Sequence, residues 1–174
     1  MIKNIFFILL LCSKPGFAQF TKADLQASGL TCSMCNLATQ KQLQTLSFVD
    51  SIVPNLELNV FHIYFNQKQS IDFEMIKRKV EDAGFFVAEL KVTYLKKAGY
   101  RFAIQYLFTE NAVLNIKNFD ERKEEQVFKF MDEGFVTAKA YKKYKKVISE
   151  MVLPSNTIGI GEISNIKMYH VIAE

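Results

Sequence analysis

Between residues 20 and 94 the spacing of apolar positions switches repeatedly between the two-residue repeat of a strand and the helical repeat, and the switches divide the segment into six elements. Thr21 to Leu30 suits a strand that ends at Gly29. Ser33 to Leu46 contains no Gly or Pro and puts Cys35, Thr39, Leu43 and Leu46 on one helical face, with Thr39 as a polar interruption. Phe48 to Val53 reads as a second strand, stopped by Pro54-Asn55. Val60 to Phe65 reads as a third, with Phe61, Ile63 and Phe65 on one side and Val60, His62 and Tyr64 on the other. From Asp72 to Ala83 the apolar residues Phe73, Ile76, Val80 and Ala83 recur at helical intervals, and Gly84 suits the position just past a helix end. Phe85 to Tyr94 completes the set as a fourth strand.

The order βαββαβ predicts an α+β, ferredoxin-like sandwich with both helices on one face of the sheet. Leu95 to Gly99 reads as a linker. Beyond it, Tyr100 to Phe108, Ala112 to Phe119 and Glu125 to Met131 suit strands, Val136 to Met151 suits a helix, and Asn165 to Ile172 suits a closing strand, with a shorter one near Thr157 to Ile160. That order predicts a small β-rich, OB-like barrel, so residues 100–174 are expected to form a separate module.

Composition narrows the class. The 174 residues are 49% hydrophobic and 23% charged, an ordinary globular balance. Lys3, the apolar run Ile5 to Leu11 and the small residues of Gly16-Phe17-Ala18 read as a signal peptide over residues 1–18, cleaved after Ala18. The run is too short for a stable transmembrane helix. Cys12 suggests a lipid anchor, but Leu11 stands where such a site needs a small residue. The chain is therefore expected to be exported to the periplasm or the extracellular space, with no stable membrane insertion after cleavage. Cleavage leaves 20 basic against 18 acidic side chains, a net charge of +2, which argues against a nucleic-acid partner. It also leaves two cysteines, Cys32 and Cys35, a pair too closely spaced to staple a fold.

Those cysteines sit where a strand gives way to a helix. Two thiols three residues apart at such a junction can converge on one point, and the free N–H groups and partial positive charge of a helix start favour thiolate over thiol. Two thiolates without nearby imidazole or carboxylate select a soft, low-coordinate ion such as Cu(I), Ag(I) or Hg(II). A structural zinc site would want four ligands.

The loop Gly29-Leu30-Thr31-Cys32-Ser33-Met34-Cys35 and the segment Glu81-Asp82-Ala83-Gly84-Phe85 resemble the heavy-metal-associated domain family, which includes copper chaperones, modules of copper-transporting ATPases and the periplasmic mercury-binding protein. The resemblance covers residues 20–94. It implies Cys32 and Cys35 as metal ligands, Cu(I) as the expected ion with Hg(II), Ag(I) or Zn(II) as alternatives, and a copper-transporting or copper-accepting protein as partner. It also implies that Leu30, in place of a family Met, packs beneath the loop, and that Phe85 shields the ion. Thr39 and Gln42 depart from the family's apolar preference and imply a thinner core.

Other residues invite weaker readings. Met34 could supply a thioether but is expected to face solvent. His62 and His170 read as packed or surface residues. The second half has no cysteine, and Met131, Met151 and Met168 suit core packing, so no metal ligand is expected there. The run Lys139 to Lys146 holds five lysines with Tyr141 and Tyr144; it could dock an acidic partner or a membrane surface, and a solvated helix face is the simpler reading. Three functions follow: a metal carrier or sequestering protein, not an enzyme; a thiol-disulfide redox protein; and an interaction or sensor module with a metal-binding domain. The absence of Trp and the positions of Pro15, Pro54 and Pro154 argue against a thioredoxin-like enzyme.

Overall fold

The computed structural model describes residues 20–30, 32–96, 102–103, 105–151 and 166–174. The signal segment, Cys12, Thr31 and the short strand expected near Thr157 lie outside the described residues. The elements are β1 (Phe20–Ser28), α1 (Ser33–Gln44), β2 (Val49–Asn55), β3 (Val60–Phe65), α2 (Phe73–Asp82), β4 (Phe86–Leu95), β5 (Phe102–Ala103), β6 (Tyr106–Phe108), β7 (Ala112–Lys117), β8 (Glu125–Phe130), α3 (Ala138–Glu150) and β9 (Lys167–Ala173).

The first six follow the expected βαββαβ order. β1 lies between β3 and β4, antiparallel to both, with Leu25 opposite Phe61 on one side and Leu90 on the other. Asp72 caps α2 by accepting from the backbone N–H groups of Glu74 and Met75, at 2.9 and 3.2 Å. Phe73, Ile76 and Val80 are buried, and Gly84 follows the helix at φ +86°, the left-handed conformation a C′ glycine supplies. β2 runs through Pro54-Asn55 instead of stopping there, with Pro54 opposite Phe61. It can do so because β2 is the outermost strand, where a missing N–H breaks no ladder.

The second half departs from the expected OB-like barrel. Its strands join the first sheet, giving one open arrangement in the order β2-β3-β1-β4-β8-β9-β7-β6-β5. β8 pairs antiparallel with β4, from Lys91 opposite Lys129 to Leu95 opposite Glu125, and β9 pairs antiparallel with β8 and parallel with β7. In place of one strand over Tyr100 to Phe108, the described residues there form β5 and β6, paired antiparallel with Phe102 opposite Leu107. The physical reason for the open sheet is an aromatic core shared across the two halves. Tyr94 stacks on Phe128 with ring centroids 5.4 Å apart, and Phe73 meets Phe130 at 5.0 Å and Tyr169 at 5.9 Å. Pairing β4 with β8 also covers an edge that would otherwise leave backbone groups unpaired. The sheet and its core therefore cross the boundary expected after residue 94.

α3 is fixed at its two ends. Thr137 donates its backbone N–H to the Ala88 carbonyl at 3.2 Å, and fully buried Asn115 donates from Nδ2 to the Met151 carbonyl at 2.6 Å. Between those points the helix has no fully buried residue.

Candidate metal centre

β1 hands the chain to α1 through a tight loop. Gly29 sits at φ +88°, where an L side chain is strained, and a Cβ there would lie 3.4 Å from Cδ1 of Phe85. Gly29→Ala is accordingly expected to lower stability by about 1–2 kcal/mol, read as a lower urea midpoint at unchanged slope. Leu30 is buried, 7% exposed, and belongs to the core beneath the loop.

Cys32 is the N-cap of α1, with extended backbone at φ −148° and ψ 159°. Its Sγ accepts the Cys35 N–H at 3.3 Å. The two Cα atoms are 5.3 Å apart and the sulfurs are joined as a disulfide. Cys32 is exposed and Cys35 half-buried. The first turn of α1 holds no acidic residue, so nothing opposes the positive end of the helix. In the reduced state this is a setting that stabilises thiolates.

Two neighbours hold the pair. Asn36 donates both its backbone N–H and Nδ2 to the Cys32 carbonyl, each at 3.2 Å. Thr39, 0% exposed, donates its hydroxyl to the Cys35 carbonyl at 3.1 Å. Thr39 thus satisfies its polar group inside the helix face that it interrupts in the sequence. The role of Asn36 was missed by the sequence reading; the signal was its position four residues after Cys32, on the face of Thr39 and Leu43. The ring of Phe85 lies against Gly29 at the root of the loop.

The surroundings are open, with three exposed apolar side chains. Met34 is 71% exposed, and Leu37 and Leu56 are also exposed. Leu56 and Asn59 share a shallow recess of about 310 Å³ with Leu30, Cys32, Ser33 and Asn36. Among the described residues no third His, Cys, Asp or Glu gathers with the pair into a cluster. The histidines serve elsewhere. His62 pairs through Nδ1 with Asp24 at 2.7 Å across β3 and β1. His170 pairs through Nδ1 with Asp132 at 2.9 Å, while its backbone N–H donates to the other oxygen of that carboxylate at 2.6 Å. The donor set that remains at the loop, two sulfurs at a helix start, fits a thiophilic ion of low coordination number.

A βαββαβ sandwich carrying Cys-x-x-Cys at the β1–α1 junction, with Phe85 packed against the loop, gives the first half of this chain the arrangement expected from its resemblance to heavy-metal-associated domains. Over 65 residues the chain is 35% identical to a probable copper-exporting P-type ATPase of Archaeoglobus fulgidus, a match covering 37% of this chain and 8% of that relative's length. Among solved structures it is similar to the CopZ metallochaperone, at 24% identity and a TM-score of 0.36, over 39% of this chain and all of the other. It is also similar to the yeast copper transporter domain CCC2A, at 28% identity and a TM-score of 0.34, over 37% of this chain and 88% of that one. No family model matches the chain.

Proposed function

We propose that this protein is an exported carrier that binds one Cu(I) through Cys32 and Cys35 and passes it to a copper-accepting protein. The observation that carries this reading is the placement of both sulfurs at the acid-free start of α1. The 65-residue match to a probable copper-exporting ATPase supports the choice of copper. Exposure of Cys32 suits transfer by thiolate exchange, in which an incoming thiolate bonds to the metal before each resident sulfur leaves. Such a protein moves an ion and leaves every covalent bond of its partner unchanged, so it is a binding protein and not an enzyme. Cu(I) is the expected ion at Cys32 and Cys35, and Ag(I) and Hg(II) share the chemistry that would load it there.

Titration of the reduced chain with Cu(I), in competition with a chelator of known affinity, is expected to end at one ion per chain. X-ray absorption should show sulfur-only coordination. Absence of binding above that of a cysteine-free control would reject the proposal. Export is tested separately by intact mass from the native source, which should begin near Gln19; a retained Met1, or a lipid on Cys12, would overturn it.

The disulfide favours a second reading, in which Cys32 is the attacking thiolate of a redox protein and Cys35 resolves the mixed disulfide. Cys35→Ser would then trap a mixed disulfide with a substrate protein, whereas a carrier forms none.

A further inference from the structure

We infer that the lysine face of α3 docks on an anionic phospholipid surface. The basic excess of the mature chain sits on this one helix. α3 holds five lysines and one glutamate, and the rest of residues 20–174 holds 15 basic against 17 acidic side chains. Lys139, Lys142, Lys143, Lys145 and Lys146 are all exposed, while Ala140, Tyr141, Tyr144, Val147 and Ile148 form a half-buried stripe on the other side. Among the described residues none of the five lysines makes an ion pair. By contrast, Lys22, Lys77, Lys79, Lys91, Lys129 and Lys167 each meet a carboxylate.

The charges work against the helix that carries them. Lys139 lies in the first turn, at the positive end of the helix dipole, and the first turn has no acid to offset it. Lys139 stands three and four residues from Lys142 and Lys143, and Lys142 stands likewise from Lys145 and Lys146, so like charges face one another along the surface. An apposed anionic surface relieves both penalties at once. Lysine is depleted in specific protein interfaces, where arginine supplies fixed bidentate geometry, and α3 contains no arginine. A fluid layer of phosphate head groups demands no such geometry and attracts compact, flexible cations. No helix among the described residues is long and apolar enough to cross a membrane, so the contact is peripheral.

The helix begins beside the ends of β1 and β4. Ser28 and Phe86, at the ends of β1 and β4, line one recess of about 340 Å³ with Thr137 and Tyr141. Lipid binding through the lysine face does not depend on copper.

The test uses the full mature chain, metal-free, with vesicles of phosphatidylcholine alone and of phosphatidylcholine mixed with phosphatidylglycerol. The chain is expected to sediment with the mixed vesicles and not the neutral ones, and to be released as salt rises from about 0.01 to 1 M, where screening shortens the reach of charge to a few ångströms. A variant combining Lys142→Gln, Lys143→Gln and Lys146→Gln should bind at least tenfold more weakly. Its helix loses repulsion and should keep its circular dichroism. The matching three Lys→Arg changes should retain binding. The proposal is overturned if the native chain stays in solution with anionic vesicles at low salt, or if the Gln variant binds as well as the native chain. Tighter binding to poly-glutamate than to the vesicles, through the same lysines, would assign the face to an acidic protein and equally overturn it.

Discussion

Serine at position 32 or 35 should cost the reduced protein about a hundredfold or more in Cu(I) affinity, ~3 kcal/mol. The reason is chelation. With both sulfurs held at the start of α1, the second thiolate binds an ion that the first already localises; with one sulfur removed, a hydroxyl that is hard and protonated replaces it. Folding gives the control. Cys32 caps α1 by accepting the Cys35 N–H, and serine is a better cap than cysteine, so Cys32→Ser should leave thermal stability intact. A fall in affinity at unchanged stability therefore reports the site. The oxidised chain supplies a third comparison: with Cys32 and Cys35 joined, it should bind no Cu(I) until reduced. Chelator competition on the native chain and on both single variants decides the matter. Native affinity in both variants would remove these residues from the site.

Phe128→Ala should destabilise the protein by about 3–5 kcal/mol, the range for deleting a buried aromatic ring. Phe128 is 0% exposed, stacks on Tyr94 and packs its edge against Phe20, so its removal opens a cavity at the junction of β4 and β8. Since the β4–β8 ladder and the aromatic cluster join the two halves, the loss should be felt in both. Urea unfolding followed by circular dichroism and by retention of copper binding should show coincident transitions, both shifted together. Separate transitions, with only the second half weakened, would show that the halves fold independently. A fragment ending at Lys96 is the more severe form of the same experiment. It keeps Cys32, Cys35 and Phe85 but strips the β4 edge and uncovers Phe20, Phe73 and Tyr94, so it should aggregate more readily while retaining one copper per folded molecule.

Much of the first half was legible in the sequence because its elements are local. The apolar spacing of Phe73, Ile76 and Val80 requires a helix with one buried stripe, Asp72 and Gly84 mark its ends, and the structure places all five in those roles. The Cys-x-x-Cys spacing at a strand–helix junction likewise brings the sulfurs together through backbone geometry alone. Gln42 is only half-buried and Thr39 is paired within its own helix, so neither departure from the family pattern loosens the loop. Even in the second half, strands and helix lie near the expected positions.

What the sequence left undetermined was which strand meets which. A strand's alternation is the same whether its neighbour closes a barrel or extends an existing sheet, and nothing local to Glu125–Phe130 names β4 as its partner. That choice was made in three dimensions, where Phe128 and Phe130 complete a core begun by Phe20, Phe73 and Tyr94, more than thirty residues away in the chain. The same holds for Pro54, which reads as a strand breaker until β2 proves to be an edge, and for the α3 lysines, none of which, among the described residues, makes an ion pair of the kind Lys22, Lys77, Lys79, Lys91, Lys129 and Lys167 make. Local periodicity and loop chemistry determined the elements and the candidate metal pair; long-range burial and hydrogen bonding decided how the elements were joined, because those energies belong to pairs of residues that the sequence holds far apart.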